Sequence, residues 1–254
     1  MVFFDPGWSA LLGATLGLVL GSYLATLLIR WPLAAQGRHV RRSHCDQCHR
    51  QLAWFELVPL ASFILQRGRC RHCAAPISSL HFSVELACGA AGAACFAAGM
   101  PWLALMIWLA IGLAVFDARY LALPDPIVAA FAISAATAPA WDETTTMAMR
   151  IAGGAIGFAV LWSVAGLYRR MRGRTGLGGG DPKLFGAIGL WTGALGLPTV
   201  MLAACAIGLS HAVIKVRAGA DPRSVQLPLG TYLMIATILL AGVKMMLGAG
   251  LRTM

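Results

Sequence analysis

The chain has 254 residues, of which 59% are hydrophobic and only 12% charged, and its formal net charge is +10. Soluble domains carry about 25% charged residues, so this composition excludes a soluble domain and implies an integral membrane protein with several spans. On such a chain basic residues report topology first, and the positive charge is not read as a nucleic-acid surface.

A membrane span needs about 20 apolar residues. The first is expected over Trp8–Ile29, ending at Arg30. It exceeds the ~7–15-residue core of a signal peptide and no basic segment precedes it, so it reads as a retained helix. A polar insert runs from Trp31 to about Ser79 and holds four of the seven cysteines. The second span is expected at Leu80–Ala98, a tight turn at Gly99-Met100-Pro101, and the third span at Trp102–Phe116. Asp117 to Asp125 breaks the apolar pattern, and Ile127–Ala140 forms a fourth span. After the acidic loop Trp141 to Thr144, a fifth span is expected at Met147–Leu167. A basic loop leads to a short sixth span at Leu184–Leu197, Pro198 opens a seventh ending near Val213, and Leu229–Leu247 is the eighth. The expectation is an all-α polytopic membrane protein of eight transmembrane helices. It comprises a first helix (1–30), a cytoplasmic insert (31–79) and a seven-helix core (80–254).

Charge supports this count. With the N-terminus outside, alternate loops carry Arg30, Arg38, Arg41, Arg42, Arg50, Arg67, Arg69, Arg71, Arg119, Arg169, Arg170, Arg172, Arg174, Lys183, Lys215, Arg217 and Arg223. The opposite side receives only Arg150, Lys244 and Arg252. Basic residues favour the cytoplasmic side, so the insert, Asp117 and Asp181 are all expected there.

Cys45-x-x-Cys48 and Cys70-x-x-Cys73 form two knuckles with the spacing of a four-thiolate zinc site. Four cysteine ligands leave no open position, so the zinc is expected to be structural. Four reduced thiols are the alternative reading. His44, His49 and His72 flank the sulfurs, and Arg67, Arg69 and Arg71 offset thiolate charge and face lipid headgroups. Cys88, Cys95 and Cys205 lie in apolar runs and are expected to be buried packing.

A carboxylate at a span end is costly and calls for a reason. Asp117 closes one apolar run, and Asp181 follows the glycines of Gly178-Gly179-Gly180. Two carboxylates at close range share a proton, so one can activate water while the other donates to a carbonyl. Asp125, between Pro124 and Pro126, is the rival to Asp117; Gly178, Gly180 and Lys183 are supporting candidates. Glu56 and Glu85 are the remaining inner acids, and Glu85, inside the second span, is suited to a cationic amine or an arginine. A proton-coupled carrier would instead place such acids near mid-membrane in paired half-helices. A membrane adaptor would hold the metal with the acids incidental.

The motifs together resemble the type IV prepilin peptidases, whose G-x-G-D element is similar to that of presenilins and archaeal preflagellin peptidases. The matching residues are Gly21-Ser22-Tyr23-Leu24 with Ile29-Arg30-Trp31-Pro32, the two C-x-x-C pairs, and Ile77-Ser78 with Val84-Glu85. Asp117 to Leu123-Pro124-Asp125, and Gly178-Gly179-Gly180-Asp181-Pro182-Lys183, complete the set. Positions 25 and 57 are Ala and Leu where the family often has Asn. The resemblance implies a bacterial inner-membrane aspartic endopeptidase with Asp117 and Asp181 at a cytoplasm-facing site. It would cut the leader of type IV prepilins or pseudopilins after a glycine. It would then N-methylate the new terminus with S-adenosylmethionine, with Glu85 the candidate residue for that co-substrate.

The topology is testable. Reporter fusions after Pro76 and after Gly176 are expected to read cytoplasmic and one after Asp142 periplasmic; a periplasmic signal at Gly176 contradicts the eight-span arrangement.

Overall fold

The computed structural model describes residues 5–35, 43–139, 144–173, 176–221 and 226–252. Arg38, Arg41, Arg42, Trp141, Asp142, Glu143, Arg174 and Arg223 lie outside the described residues. The helices are α1 (Pro6–Ala35), a five-residue α2 (Ala61–Leu65), α3 (Ser79–Ala97), α4 (Pro101–Tyr120), α5 (Asp125–Thr137), α6 (Met147–Arg172), α7 (Gly180–Arg217) and α8 (Leu229–Arg252). Among the described residues, α1, α3, α4, α6, α7 and α8 are each long and apolar enough to cross a membrane. The chain is thus an all-α polytopic membrane protein. It divides into two compact units, Met1–Ala104 and Leu105–Met254.

In the first unit α1 packs along α3. Gly13, Gly17 and Gly21 recur every four residues on α1 and meet the α3 backbone at Gly92, Cys88 and Glu85. A Cβ at Gly21 would lie 2.9 Å from the Glu85 Cα, and at Gly13 and Gly17 it would collide with carbonyl oxygens. Small residues at this spacing let membrane helices approach to backbone contact, where dispersion replaces the missing hydrophobic drive. Gly99 has φ 68 and turns the chain from α3 into α4, as the Gly-Met-Pro sequence predicts.

The second unit departs from the expected boundaries. α4 continues through Asp117 to Tyr120, so the acid lies inside a helix rather than beyond its end. The expected sixth and seventh spans form one helix, α7, broken at Gly193 (φ 68, ψ 178), and not at Pro198. At Gly193, a residue without a Cβ takes a backbone conformation closed to others. The break lies against α6, where a Cβ on Gly153 would come within 2.5 Å of the Gly193 carbonyl carbon. α5 and the part of α7 before the break are both short. Thirteen residues of α5 rise only about 20 Å, below the roughly 30 Å of a hydrocarbon core.

Arg150 ties these short helices together. Expected to be a charge on the outer side, it is instead 6% exposed in the first turn of α6. Its guanidinium donates to the Ala135 and Ala136 carbonyls at the end of α5 and, at 2.9 Å, to the Leu190 carbonyl before the break. Both sets of acceptors are orphans for sequence reasons. Pro139 has no N–H to offer Ala135, and the Gly193 conformation interrupts the ladder that would serve Leu190. A cation at helix C-termini also opposes the negative end of the macrodipole. Cys88 and Cys95 are buried as expected, but Cys205 is exposed. The lipid-facing side of a helix is as apolar as its packed side, so an apolar run does not say which way a thiol points.

Arg150→Met, which keeps length and removes every donor, is expected to lower unfolding stability by roughly 2 kcal/mol or more, the value of lost charge-assisted bonds. Thermal unfolding in detergent checks this against Arg170→Met at an exposed position; equal midpoints contradict it.

Candidate active site and metal centre

Two acids sit at helix N-termini in the second unit. Asp181 lies in the first turn of α7, is 7% exposed, and accepts the Gly178 N–H on Oδ2 at 3.0 Å. The Asp181 N–H in turn lies 3.3 Å from the Gly178 carbonyl, so the glycine segment folds back onto the acid. Pro182 follows within the first turn, where its missing N–H costs nothing. Asp117, 5% exposed, reaches from α4 to the start of α8 and accepts the Thr231 N–H on Oδ2 at 2.7 Å. That N–H belongs to the first turn of α8 and has no partner inside its own helix. The Thr231 hydroxyl stands 3.2 Å from the same oxygen and 3.0 Å from the Ala114 carbonyl, and with one proton it donates to one at a time. Anionic groups are favoured at both positions by the unpaired N–H groups and the macrodipole.

Leu123 brings the two helix starts together. A Cβ at Gly180 would lie 2.7 Å from its Cβ, and one at Gly230 would lie 3.1 Å from its Cδ1 and 3.0 Å from the Asp117 carboxyl. Glycine at both places therefore lets one leucine fill the space between the turns that carry the acids. The two acid-bearing turns thus meet on one side chain. Asp125 stands apart. It is the first residue of α5, and its exposed carboxylate pairs with Lys183 Nζ at 2.7 Å. Such a pair contributes little to stability. Thr231 was not singled out from sequence. The only local sign is Pro228-Leu229-Gly230-Thr231, a helix start whose free N–H groups want an acceptor.

The four paired cysteines of the first unit form one cluster, with their sulfurs all within 4.8 Å of one another. The two knuckles share one construction. Cys45 N–H bonds the Arg50 carbonyl and Cys70 N–H the Ala75 carbonyl, each at 2.9 Å. The residue after each second cysteine, His49 and Ala74, takes positive φ of 55 and 56. The Cys45–Cys73 sulfur separation of 3.8 Å equals the edge of a tetrahedron with metal–sulfur bonds of about 2.3 Å. Backbone N–H groups of Cys73 and His72 draw the Cys70 thiol down to about 6. Cys73 accepts a bond from the Ala75 backbone, yet lost hydration and the neighbouring sulfurs push it up to about 11. Four thiolates at this spacing need a cation among them, and the cluster can hold a metal ion. The rings of His44 and His49 lie tilted beside each other with centroids 5.8 Å apart, and no histidine joins the cluster among the described residues. Arg71 lies over the Phe55 ring at 5.2 Å.

Glu56 and Glu85 are both buried in this unit. Glu56 pairs with Arg50 and accepts the Ala53 N–H at 2.8 Å. Glu85 accepts the Leu60 N–H at 2.7 Å. Glu85, read from sequence as suited to a cationic amine or an arginine, is buried and meets this backbone donor.

Residues 15–98 match the Bacterial Peptidase A24 N-terminal domain, and residues 103–213 the Type IV leader peptidase family. A prepilin leader peptidase/N-methyltransferase of Klebsiella pneumoniae is 35% identical over 74% of this chain and 87% of that protein. A type 4 prepilin-like proteins leader peptide-processing enzyme of Escherichia coli O78:H11 is 31% identical over 84% of this chain and 87% of that protein. A prepilin leader peptidase/N-methyltransferase of Stutzerimonas stutzeri is 28% identical over 91% and 90%. No solved structure matches the chain. With acids, glycines and paired cysteines in one polytopic helical chain and relatives aligned over most of its length, this protein belongs to the type IV leader peptidase family.

Proposed function

We propose that this protein is a membrane aspartic endopeptidase. It removes the leader peptide of type IV prepilins or pseudopilins after the leader's final glycine, and N-methylates the residue that becomes the new N-terminus. Family membership supports the reaction, and the observation that carries the mechanism is the pair of buried carboxylates at neighbouring helix starts.

Peptide hydrolysis needs a base for water and an acid for the carbonyl oxygen. Asp117 and Asp181 supply both as a pair with one proton between them. The ionised member takes a proton from water as it attacks the carbonyl carbon. The protonated member gives its proton to the carbonyl oxygen, and the gem-diol collapses with proton transfer to the leaving amine. The Thr231 N–H and the Gly178 N–H each hold the Oδ2 of one carboxylate and so orient the pair. Asp125 and Lys183 act outside this step. The positive charge of the loops supports a cytoplasmic position, at a bacterial inner membrane, for the carboxylates and for the insert (31–79) between the first helix (1–30) and the helices of 80–254. Cys45, Cys48, Cys70 and Cys73 would hold zinc, which would fix the two knuckles and, with four thiolate ligands, would offer no open position for hydrolysis. S-adenosylmethionine supplies the methyl group.

Purified protein is expected to carry about one zinc per chain, and Cys45→Ser to lower both metal content and unfolding midpoint, because a structural site contributes folding free energy directly. Metal-free protein of unchanged stability contradicts the assignment.

Incubation of the purified enzyme with a prepilin tests the reaction itself. Asp117→Asn and Asp181→Asn are each expected to reduce leader cleavage by about 10²-fold or more while leaving folding and metal intact. Asp125→Asn is expected to be far milder. Near-normal cleavage by Asp181→Asn would rule the mechanism out.

A further inference from the structure

The insert carries one apolar stretch between its two knuckles. From Trp54 to Leu65 every residue is apolar except Glu56 and Ser62. An apolar stretch of roughly 10–14 residues is too short to span a membrane and forms either a buried core or an interfacial segment. A core would hide it. Instead Trp54 is 80% exposed and Leu65 74%, and Phe55, Leu57, Val58 and Ile64 are exposed as well. We infer that this segment is a lipid anchor: it dips into the leaflet on the insert's own side of the membrane and lays these side chains among phospholipid acyl chains.

Contacts with α3 set its depth. The Leu60 N–H bonds the Glu85 carboxylate at 2.7 Å, and the rings of Phe63 and Phe82 have centroids 5.4 Å apart. α3 starts at Ser79, so Phe82 and Glu85 stand about 5 and about 9 Å along a helix long and apolar enough to cross a membrane. Glu85 also meets Gly21 of α1, which lies about 12 Å before Ile29 at the end of that span. Half of a hydrocarbon core is about 15 Å thick. Both spans therefore carry the segment below the headgroups, to the roughly 5–10 Å at which interfacial apolar faces lie.

The backbone suits that depth. Acyl chains offer no acceptors, so N–H groups there must be served within the protein. Pro59 has none to serve. The Glu56 N–H donates to the Ala53 carbonyl, that of Ser62 to Val58, and that of Ile64 to Leu60. Leu60 takes φ 56 at the start of α2, a costly backbone for a leucine, and its N–H goes to Glu85. An acid inside the second span thus serves a donor that lipid could not. The other acid, Glu56, is buried and paired with Arg50.

Charge marks the rim. Arg67 and Arg69 follow α2 directly and are exposed, and Arg71 lies over the Phe55 ring. Guanidiniums beside an apolar tip suit the phosphates of lipid headgroups. A protein partner on this tip would have to sit beside the first turns of α3, inside the leaflet. Cys48 precedes the segment and Cys70 follows it, so the sulfur cluster closes the loop whose tip enters the lipid. The contact is independent of which bond the enzyme cleaves.

Spin labels read the depth. Ile64→Cys, Leu65→Cys, Arg69→Cys and Leu86→Cys are each made in full-length, metal-loaded Cys205→Ser protein, because Cys205 is the exposed thiol outside the cluster. Each is labelled and reconstituted into phospholipid vesicles. Oxygen concentrates among acyl chains, and a neutral nickel chelate stays in water. Labels at 64 and 65 are expected to relax more with oxygen than with nickel, like the label at 86 on the exposed face of α3, and the label at 69 the reverse. Stronger relaxation by nickel at 64 and 65 overturns the anchor and leaves the tip in water. Access to neither reagent also overturns it, in favour of a protein surface over the tip. Fluorescence decides where a label disturbs the fold. The emission lost in Trp54→Phe is expected to be a part that phospholipid brominated near the top of its acyl chains quenches; quenching of that part by aqueous acrylamide instead contradicts the anchor.

Discussion

The guanidinium of Arg150 is the contact on which the second unit depends. α5 and the first part of α7 each end with carbonyls that their own helices cannot serve, one because of Pro139 and the other because of Gly193. A buried carbonyl without a donor is expensive, and so is a buried arginine without acceptors. Each cost is removed by the other, since one guanidinium donates to Ala135, Ala136 and Leu190. The opposite ends of the same two short helices begin at Asp125 and beside Asp181, and are joined there by the Lys183–Asp125 pair. A tie at one end thus sets the position of the acid at the other.

At the acidic end the same accounting runs in reverse. The starts of α7 and α8 expose unpaired N–H groups, and carboxylates answer them: Asp181 takes the Gly178 N–H and Asp117 takes that of Thr231. Leu123 fills the space between the two turns, and it fits only because positions 180 and 230 have no side chain. Gly180, directly before Asp181, is therefore a packing constraint. In the first unit the four-cysteine cluster joins the two knuckles of the polar insert, and backbone contact at Gly13, Gly17 and Gly21 fixes α1 on α3. The two units thus solve the same problem with different chemistry.

What could be read from the sequence was whatever depends on near neighbours. The C-x-x-C pairs need only local spacing, and the structure assembles their four sulfurs as expected. Span positions followed from apolar runs, and most helix bounds lie close to them. Several of the differences involve partners distant in sequence. Arg150 reads as a loop charge unless one knows that carbonyls of residues 135 and 190 lie beside it. Pro198 is the obvious helix breaker in α7, but the break falls at Gly193, which packs against Gly153 of α6. The role of Thr231 needs Asp117, 114 residues away. The four-residue glycine spacing of α1 was present in the sequence and went unread, because its meaning appears only with α3 against it.

The central claim is that Asp117 and Asp181 work as one unit. The direct measurement is the kcat/KM for prepilin cleavage of Asp117→Asn, Asp181→Asn and the double variant, each at matched folded concentration. Groups that share one proton fail together, so the double variant is expected to be no slower than either single one. Losses that multiply in the double variant would mean that the two carboxylates act independently, and would contradict the account.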